Sequence, residues 1–468
     1  MKLLVTCAAQ FLVVLDVSIV NVALPAMRDD LGFGGSGLEW VVNAYALAFA
    51  GFLLLGGRVA DLFGRRRALV GGLALFAGAS LAGGLATAPW MLVAARSVQG
   101  LGGALLMPAT LAILTATYPE GPQRARAVAV WSAVGAAGGA AGSVFGGLLT
   151  EFLSWRWTLL VNVPIGAAAI VAALLVLDPG REGGGRRLDL VGAVTATAGL
   201  TSLAFGVTQT REHGWGAAAT LAPLVAGVLL LLVFVAVQAW VAREPLMPLR
   251  LFRSRSVSSA NVVILLTGGA GFAMWYFVSL YLQNVRGYGA LAAGLAFLPH
   301  TLAIIVAARV APRLMARIGI RSCVVLGALV GAAGFFWQSR LGVDSGLVTG
   351  VLLPGVVMTA GMGLTFTPLA AAATTGAARG DSGLVSGLLN SSRQIGGSVG
   401  LAALATVAAA HTQSLGTSGA AVTAGYSRAF LIASMLLLVA AVATVLLPPP
   451  PRTPKAPALA GAARAGAA

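Results

Sequence analysis

The chain has 468 residues, 58% hydrophobic and 9% charged, with a mean hydropathy of +0.91. A soluble domain carries roughly a quarter charged residues, so a soluble globule is excluded and a polytopic membrane protein is the class left. The net charge of +16 rests on arginine, since Lys2 and Lys455 are the only lysines. These arginines are scattered over short loops instead of gathered into a patch, which argues against a nucleic-acid partner.

Met1-Lys2-Leu3 leads straight into an apolar run that is too long for a signal-peptide core and ends at no small-residue cleavage site. It reads as the first of fourteen predicted spans, at 3–27, 38–60, 68–86, 90–117, 125–150, 157–177, 190–209, 221–241, 257–284, 291–311, 322–339, 346–374, 383–410 and 429–447. Cys7 and Cys323 both fall inside apolar runs, so neither a disulfide nor a CxxC metal site is expected.

Within the first span, Asp16 stands about 20 Å along the helix axis, near mid-bilayer. An ionised carboxylate there costs about 2.5–3.5 kcal/mol even on gentle insertion scales, so it is expected to face the bundle interior. Two readings are open: a proton carrier, or a structural hydrogen bond between helices. Asn21, one turn on, is a candidate polar residue of a central cavity.

The link between the second and third spans reads Gly57-Arg58-Val59-Ala60-Asp61-Leu62-Phe63-Gly64-Arg65-Arg66-Arg67. It is too short for a domain and must be a turn at a membrane face. Its order, Gly-x-x-x-Asp-x-x-Gly-Arg-Arg, resembles the signature loop of the major facilitator superfamily. That resemblance implies an all-α polytopic fold of two six-helix halves, with Gly57, Asp61, Gly64, Arg65 and Arg66 in a gating loop. The plain alternative is a solvated turn with an exposed ion pair worth under about 1 kcal/mol. The first-span phrase Leu15-Asp16-Val17-Ser18-Ile19-Val20-Asn21-Val22-Ala23-Leu24-Pro25 resembles the first-helix motif of the fourteen-helix drug:proton antiporters, with Ser18 where that family usually has Thr.

In the fourth span, Arg96, Gln99, Gly100 and Gly103 share one helical face. An arginine cannot be neutralised there and needs a partner or water. Arg-x-x-Gln-Gly resembles the antiporter motif implicated in proton transfer; the alternative is an Arg96 that snorkels to the outer surface. In the fifth span Gly138, Gly142, Gly146 and Gly147 are spaced for tight helix packing. They match the family's antiporter motif except that Ser143 stands where proline is usual, which removes the kink that proline would impose. The stretch from Ser154 through Gly166, containing Asn162-Val163-Pro164, also resembles the fourteen-helix exporters. So does the thirteenth span, where Asn390, Arg393 and Gln394 form a polar cluster that is costly unless it lines a cavity. A structural polar seam is the other reading. His213, His300 and His411 are far apart in sequence; His300, next to Pro299, could face such a cavity, though a lone histidine is more often a local hydrogen-bond partner.

An internal repeat supports two halves. Gly57–Arg67 is echoed at 312–321, pairing Gly64 with Gly319, and Gly103 through Pro108 is echoed by Gly363 through Pro368. The expected division is an N-terminal six-helix bundle at 1–180, two inserted helices and linkers at 181–250, a C-terminal six-helix bundle at 251–448, and a disordered tail at 449–468. Parallel halves around a midplane site are the design of a secondary transporter. With the N-terminus inside, inner loops carry Arg65, Arg66, Arg67, Arg124, Arg126, Arg181, Arg186, Arg187, Arg243, Arg250, Arg253, Arg255, Arg313, Arg317, Arg321, Arg379, Arg452 and Lys455, against about one cation per outer loop. That bias places both termini in the cytoplasm and the protein in the cell membrane.

The resemblance implies a proton-coupled exporter of amphipathic or hydrophobic drug-like molecules, monomeric, with no cofactor and driven by the proton gradient. No Gly-x-x-x-x-Gly-Lys-Ser/Thr phosphate loop is present for ATP. An importer of the same fold is the alternative. An intramembrane enzyme, the reading from another class, would need His, Cys or paired acids clustered at membrane depth, and the sequence offers none.

Overall fold

The computed structural model describes residues 1–34, 37–119, 122–178, 189–242, 245–375, 382–416 and 418–446. The tail at 449–468, the arginines at 181, 186, 187, 243, 379 and 452, Lys455 and the side chain of Asp61 lie outside the described residues.

Among the described residues fourteen helices are long and apolar enough to cross a bilayer: α1 (Lys2–Leu31), α2 (Glu39–Ala60), α3 (Arg65–Gly84), α4 (Pro89–Thr117), α5 (Arg126–Phe152), α6 (Trp157–Val176), α7 (Leu190–Thr210), α8 (Ala218–Val241), α9 (Arg255–Val285), α10 (Ala290–Ile318), α11 (Ile320–Gln338), α12 (Val348–Thr374), α13 (Leu384–Leu415) and α14 (Gly419–Leu446). This is the number and order the hydropathy predicts. One boundary differs clearly: α14 starts at Gly419, ten residues before the predicted edge. Its first turns are small and polar, and close packing supports them instead, with Gly425 against the backbone of Ala408 on α13.

Call the side bearing Met1 the near face and the other the far face. The echo between the halves is visible in the backbone. Gly64 ends α2 and opens α3 with φ 90°, and Gly319 does the same between α10 and α11 with φ 82°. Both sit in left-handed space that a side chain disfavours. The second echo holds as well: Gly103 lies against Tyr45 and Phe49 of α2, and Gly363 lies against Ile304 and Ala307 of α10.

A third echo was not read from the sequence. Gly138, Gly142 and Gly146 of α5 press against α1, where an added Cβ would fall 2.6–2.9 Å from backbone oxygens of Phe11, Leu15 and Ile19. Ser392, Gly396 and Gly400 recur 254 residues further along with the same spacing, and face α9. Gly400 approaches Gly269, Gly396 approaches the backbone of Leu265, and Ser392 Oγ donates to Asn261 Oδ1 at 2.7 Å. The first helix of each half is thus clasped by its fifth. Gly147 belongs to a different face of α5: its Cβ would meet Leu291 of α10, so it packs across the halves.

α7 lies in the angle between α2 and α13, with Gly51 against Thr197 and with Leu47, Leu200, Ala204 and Ala402 sharing one apolar cluster. α8 packs chiefly on α7 and leaves most of its surface outward.

Bonds between the halves gather at the far face. Pro25 has no N–H, so the carbonyl four residues earlier, that of Asn21, lacks its usual helical donor. Ser279 Oγ of α9 donates to that carbonyl at 2.8 Å, and Gln283 Nε2 donates to Val22 O at 2.9 Å. Arg28 reaches Asn284, and the Glu151 carboxylate accepts Leu291 N–H at 2.8 Å, capping α10 from the other half. Toward the near face, α4 and α12 share no packed interface among the described residues.

Candidate functional site

Asp16 is fully buried at the meeting point of five helices of the first half. Arg96 Nη1 donates to its Oδ2 at 2.6 Å. Gln99 Nε2 and Asn162 Nδ2 donate to its Oδ1 at 2.6 and 2.8 Å. Both amides also donate to Ser80 Oγ, at 2.8 and 3.3 Å, while Ser80 donates to its own helix at Phe76 O. Arg96 is satisfied in turn by Gln99 Oε1 at 2.6 Å, by Val41 O at 3.1 Å, and by the Tyr45 ring, whose centroid lies 4.4 Å from the guanidinium carbon.

Each member is placed by local chemistry. Arg96 and Gln99 are three residues apart, so both point at α1. Gly100 lets α2 approach until its Cβ position would overlap the Tyr45 backbone, which brings the ring under Arg96. Pro164 cannot donate to Leu160, so α6 breaks at Val161 and restarts at Asn162, aiming that amide inward. Both carboxylate oxygens therefore face donors, an arginine at Oδ2 and two amides at Oδ1. Among the described residues three of the carboxylate's roughly four lone-pair sites are taken, and the one left is on Oδ2, beside the Arg96 bond.

The arrangement corrects several sequence expectations. Arg96 does not snorkel; it is buried and turned inward. Gln99 lines no cavity and belongs to the Asp16 cluster. The Asn21 amide turns back to Val17 O of its own helix at 2.9 Å, and only its backbone carbonyl faces the other half. His300 is buried against Gly355 of α12 and not directed at a cavity. Asn162 and Ser80 were missed as site residues. The cue for Asn162 was its place two residues before Pro164; Ser80, in an alanine-rich helix, gave no cue.

At the end of α2, a Cβ added to Gly57 would lie 3.7 Å from Pro108 of α4. Arg66 Nη2 donates to Leu174 O of α6 at 2.8 Å, so it caps a helix end. Arg65 is exposed. In α13, Ser391 donates to Ala50 O of α2 at 3.1 Å, Arg393 bonds Asn390 Oδ1 at 3.0 Å, and Gln394 is buried. The string Gly396-Gly397-Ser398-Val399-Gly400 has the Gly-x-Ser-x-Gly order of a hydrolase nucleophile elbow. It lies inside a continuous helix, though, not at a strand-to-helix turn, and Ser398 is fully buried.

The chain resembles known transport proteins along most of its length. It is 49% identical over 434 residues to the cephamycin export protein CmcT of Amycolatopsis lactamdurans, covering 92% of this chain and 88% of that one. It is 38% identical over 438 residues to the puromycin resistance protein pur8 of Streptomyces alboniger, covering 92% and 87%. A bacterial homologue of the lysosomal transporter Spinster, solved inward-facing and unoccupied, shares the fold at a TM-score of 0.66 and 16% identity, covering 95% of this chain and 97% of that one. The family profile of the Major Facilitator Superfamily matches residues 6–401, and the chain belongs to that superfamily of multi-pass membrane transporters.

Proposed function

We propose that this protein exports drug-like, amphipathic or hydrophobic small molecules in exchange for protons. It sits in the cell membrane as a monomer with both termini in the cytoplasm. Residues 1–180 and 251–448 are the rocking halves, 181–250 carry the two inserted helices, and 449–468 form a cytoplasmic tail. With that orientation the near face is the cytoplasmic one. The far-face bonds and the open near end then describe a state closed to the outside and open to the cytoplasm.

The observation that carries the proton role is the fully buried ion pair of Asp16 with Arg96. A proton taken up at Oδ2 cancels the charge that holds Arg96, which keeps Gln99, Val41 O and the Tyr45 ring. One protonation therefore loosens α4 from α1 within the first half. An alternating-access cycle needs such a change to favour one state over the other. Inward proton flow supplies about 2.3 kcal/mol per charge per 100 mV, with no cofactor. The export direction is supported by the relatives named for export and resistance.

The test uses inside-out vesicles containing the protein, a labelled cephamycin, and a pH gradient that can be imposed or collapsed. Accumulation only with the gradient, abolished in Asp16→Asn, is expected. Accumulation that survives collapse of every ion gradient refutes proton coupling, and full activity in Asp16→Asn removes that residue as the carrier.

A further inference from the structure

The first half balances its deep cation; the second half does not. In the register that superimposes the glycine stripes, Arg393 falls where the first half has Gly139. The second half has thus placed a charge at a position its counterpart keeps bare. Three faces of α13 are distinguishable. Gly387 and Ser391 meet α2, while Ser392, Gly396 and Gly400 meet α9. The third carries Asn390 and Arg393 toward α12, where the guanidinium carbon lies 5.4 Å from the Phe366 ring centroid.

Arg393 has five N–H donors. One bond to a side chain is made, to Asn390 Oδ1 at 3.0 Å, and Nε is buried with no acceptor. Among the described residues no carboxylate lies within ion-pairing distance of it. Asp16 cannot serve, since Arg96 and two amides occupy it inside the other half. Yet the site is open to visitors: Arg393 and Asn390 are part-exposed, and Phe366 keeps 40% of its surface. Arg393 and Asn390 stand beside the seam with α2, and Phe366 belongs to α12, the helix that shares no packed interface with α4 toward the near face.

A guanidinium with a buried N–H that meets no acceptor favours a counter-charge, and its planar fork takes a carboxylate through two parallel bonds. The ring of Phe366 beside it offers an apolar surface to whatever bears that carboxylate. We infer that Arg393 is the recognition point for a carboxylate on the transported compound, so that the favoured cargo is an amphipathic anion whose apolar body lies along Phe366. This rests on the export reading and names the cargo's charge, which that reading leaves open. Export of a monoanion in exchange for a proton moves two elementary charges in the direction an inside-negative potential favours, so voltage drives both legs of the cycle.

The experiment is equilibrium binding to the purified full-length protein, read by tryptophan quenching, of a cephem carboxylate and its methyl ester. The wild type is expected to bind the acid about tenfold or more tighter than the ester, the size of a charged hydrogen bond. Arg393→Gln is expected to bring the ratio within about twofold. Asn390→Asp is nearly isosteric, and it sets a competing carboxylate where Asn390 Oδ1 now stands, 3.0 Å from the guanidinium. It too is expected to erase the preference, and it serves if Arg393→Gln does not fold. A wild-type ratio near one, binding of neither compound, or a ratio unchanged in a folded variant overturns the inference. Because no gradient is applied, failure of proton-driven accumulation in vesicles counts against export alone.

Discussion

Asp16→Asn and Arg96→Gln, singly and together, test whether the buried pair behaves as one unit. In Asp16→Asn the new amide NH2 must replace either Oδ1, which accepts from Gln99 and Asn162, or Oδ2, which accepts from Arg96. Either way a donor meets a donor, and Arg96 keeps its charge without a counter-ion. Removing one member of a buried pair costs about 3–5 kcal/mol. Arg96→Gln leaves Asp16 ionised with two neutral donors, a loss of similar size. In the double variant neither charge remains, so its cost should fall short of the sum by about 2–3 kcal/mol, the upper range of coupling between contacting residues. Cys7 and Cys323 are free and buried, and their reaction with a thiol dye reports opening. Where opening pre-equilibrates, 3 kcal/mol corresponds to labelling about 150-fold faster. Additivity within about 0.5 kcal/mol would refute the claim that the pair is closed in the resting protein.

The α5 clasp gives a matched comparison. Gly142→Ala places a Cβ 2.6 Å from Leu15 O and 2.8 Å from Ser18 Cβ, and should destabilise by about 1–3 kcal/mol. Gly139→Ala meets nothing nearer than 3.6 Å and should leave dye labelling unchanged; equal effects would deny that α5 grips α1 by that face. At the near face, Lys2 Nζ bonds Asp178 at 2.7 Å, and this hydrogen bond, then the ammonium charge, holds the Asp178 carboxyl below its ordinary 3.8. A depressed carboxyl contributes above its unfolded value and is lost as pH falls through the folded one. Amide exchange at residues 3–6 should therefore rise only below about pH 3.8, and Asp178→Asn should abolish that rise; an unchanged profile removes the tether. Finally, Arg65→Ala should slow substrate exchange while binding persists, and normal exchange rates would remove Arg65 from the gate.

The spans were legible because fourteen crossings need fourteen apolar runs, and nothing else in the sequence is so long. Gly64 and Gly319 were legible because a turn of such shortness demands glycine. What periodicity could not reveal was which helices meet. Asp16, Arg96 and Gln99 each stood out as costly polar residues in oil. Ser80 did not, because a hydroxyl in a helix can satisfy itself on the preceding turn and so carries little cost. The stretch from Asn390 to Gly400 was read as polar, because its serines and arginine drew attention from a glycine spacing identical to that of α5. Burial inside one half also had no sequence signature, and so Gln99 was expected in a cavity that it does not line.

The far-face bond from Ser279 to Asn21 is accepted by the backbone of α1. Its acceptor is a main-chain oxygen that Pro25 deprives of a helical donor, so no side-chain substitution at position 21 can delete it. When the halves separate, that oxygen needs another donor, and water entering the far-face vestibule supplies it. Hydration thus becomes a step of the transport cycle, and Pro25→Ala, which returns an N–H to the helix, would let the vestibule part while still dry.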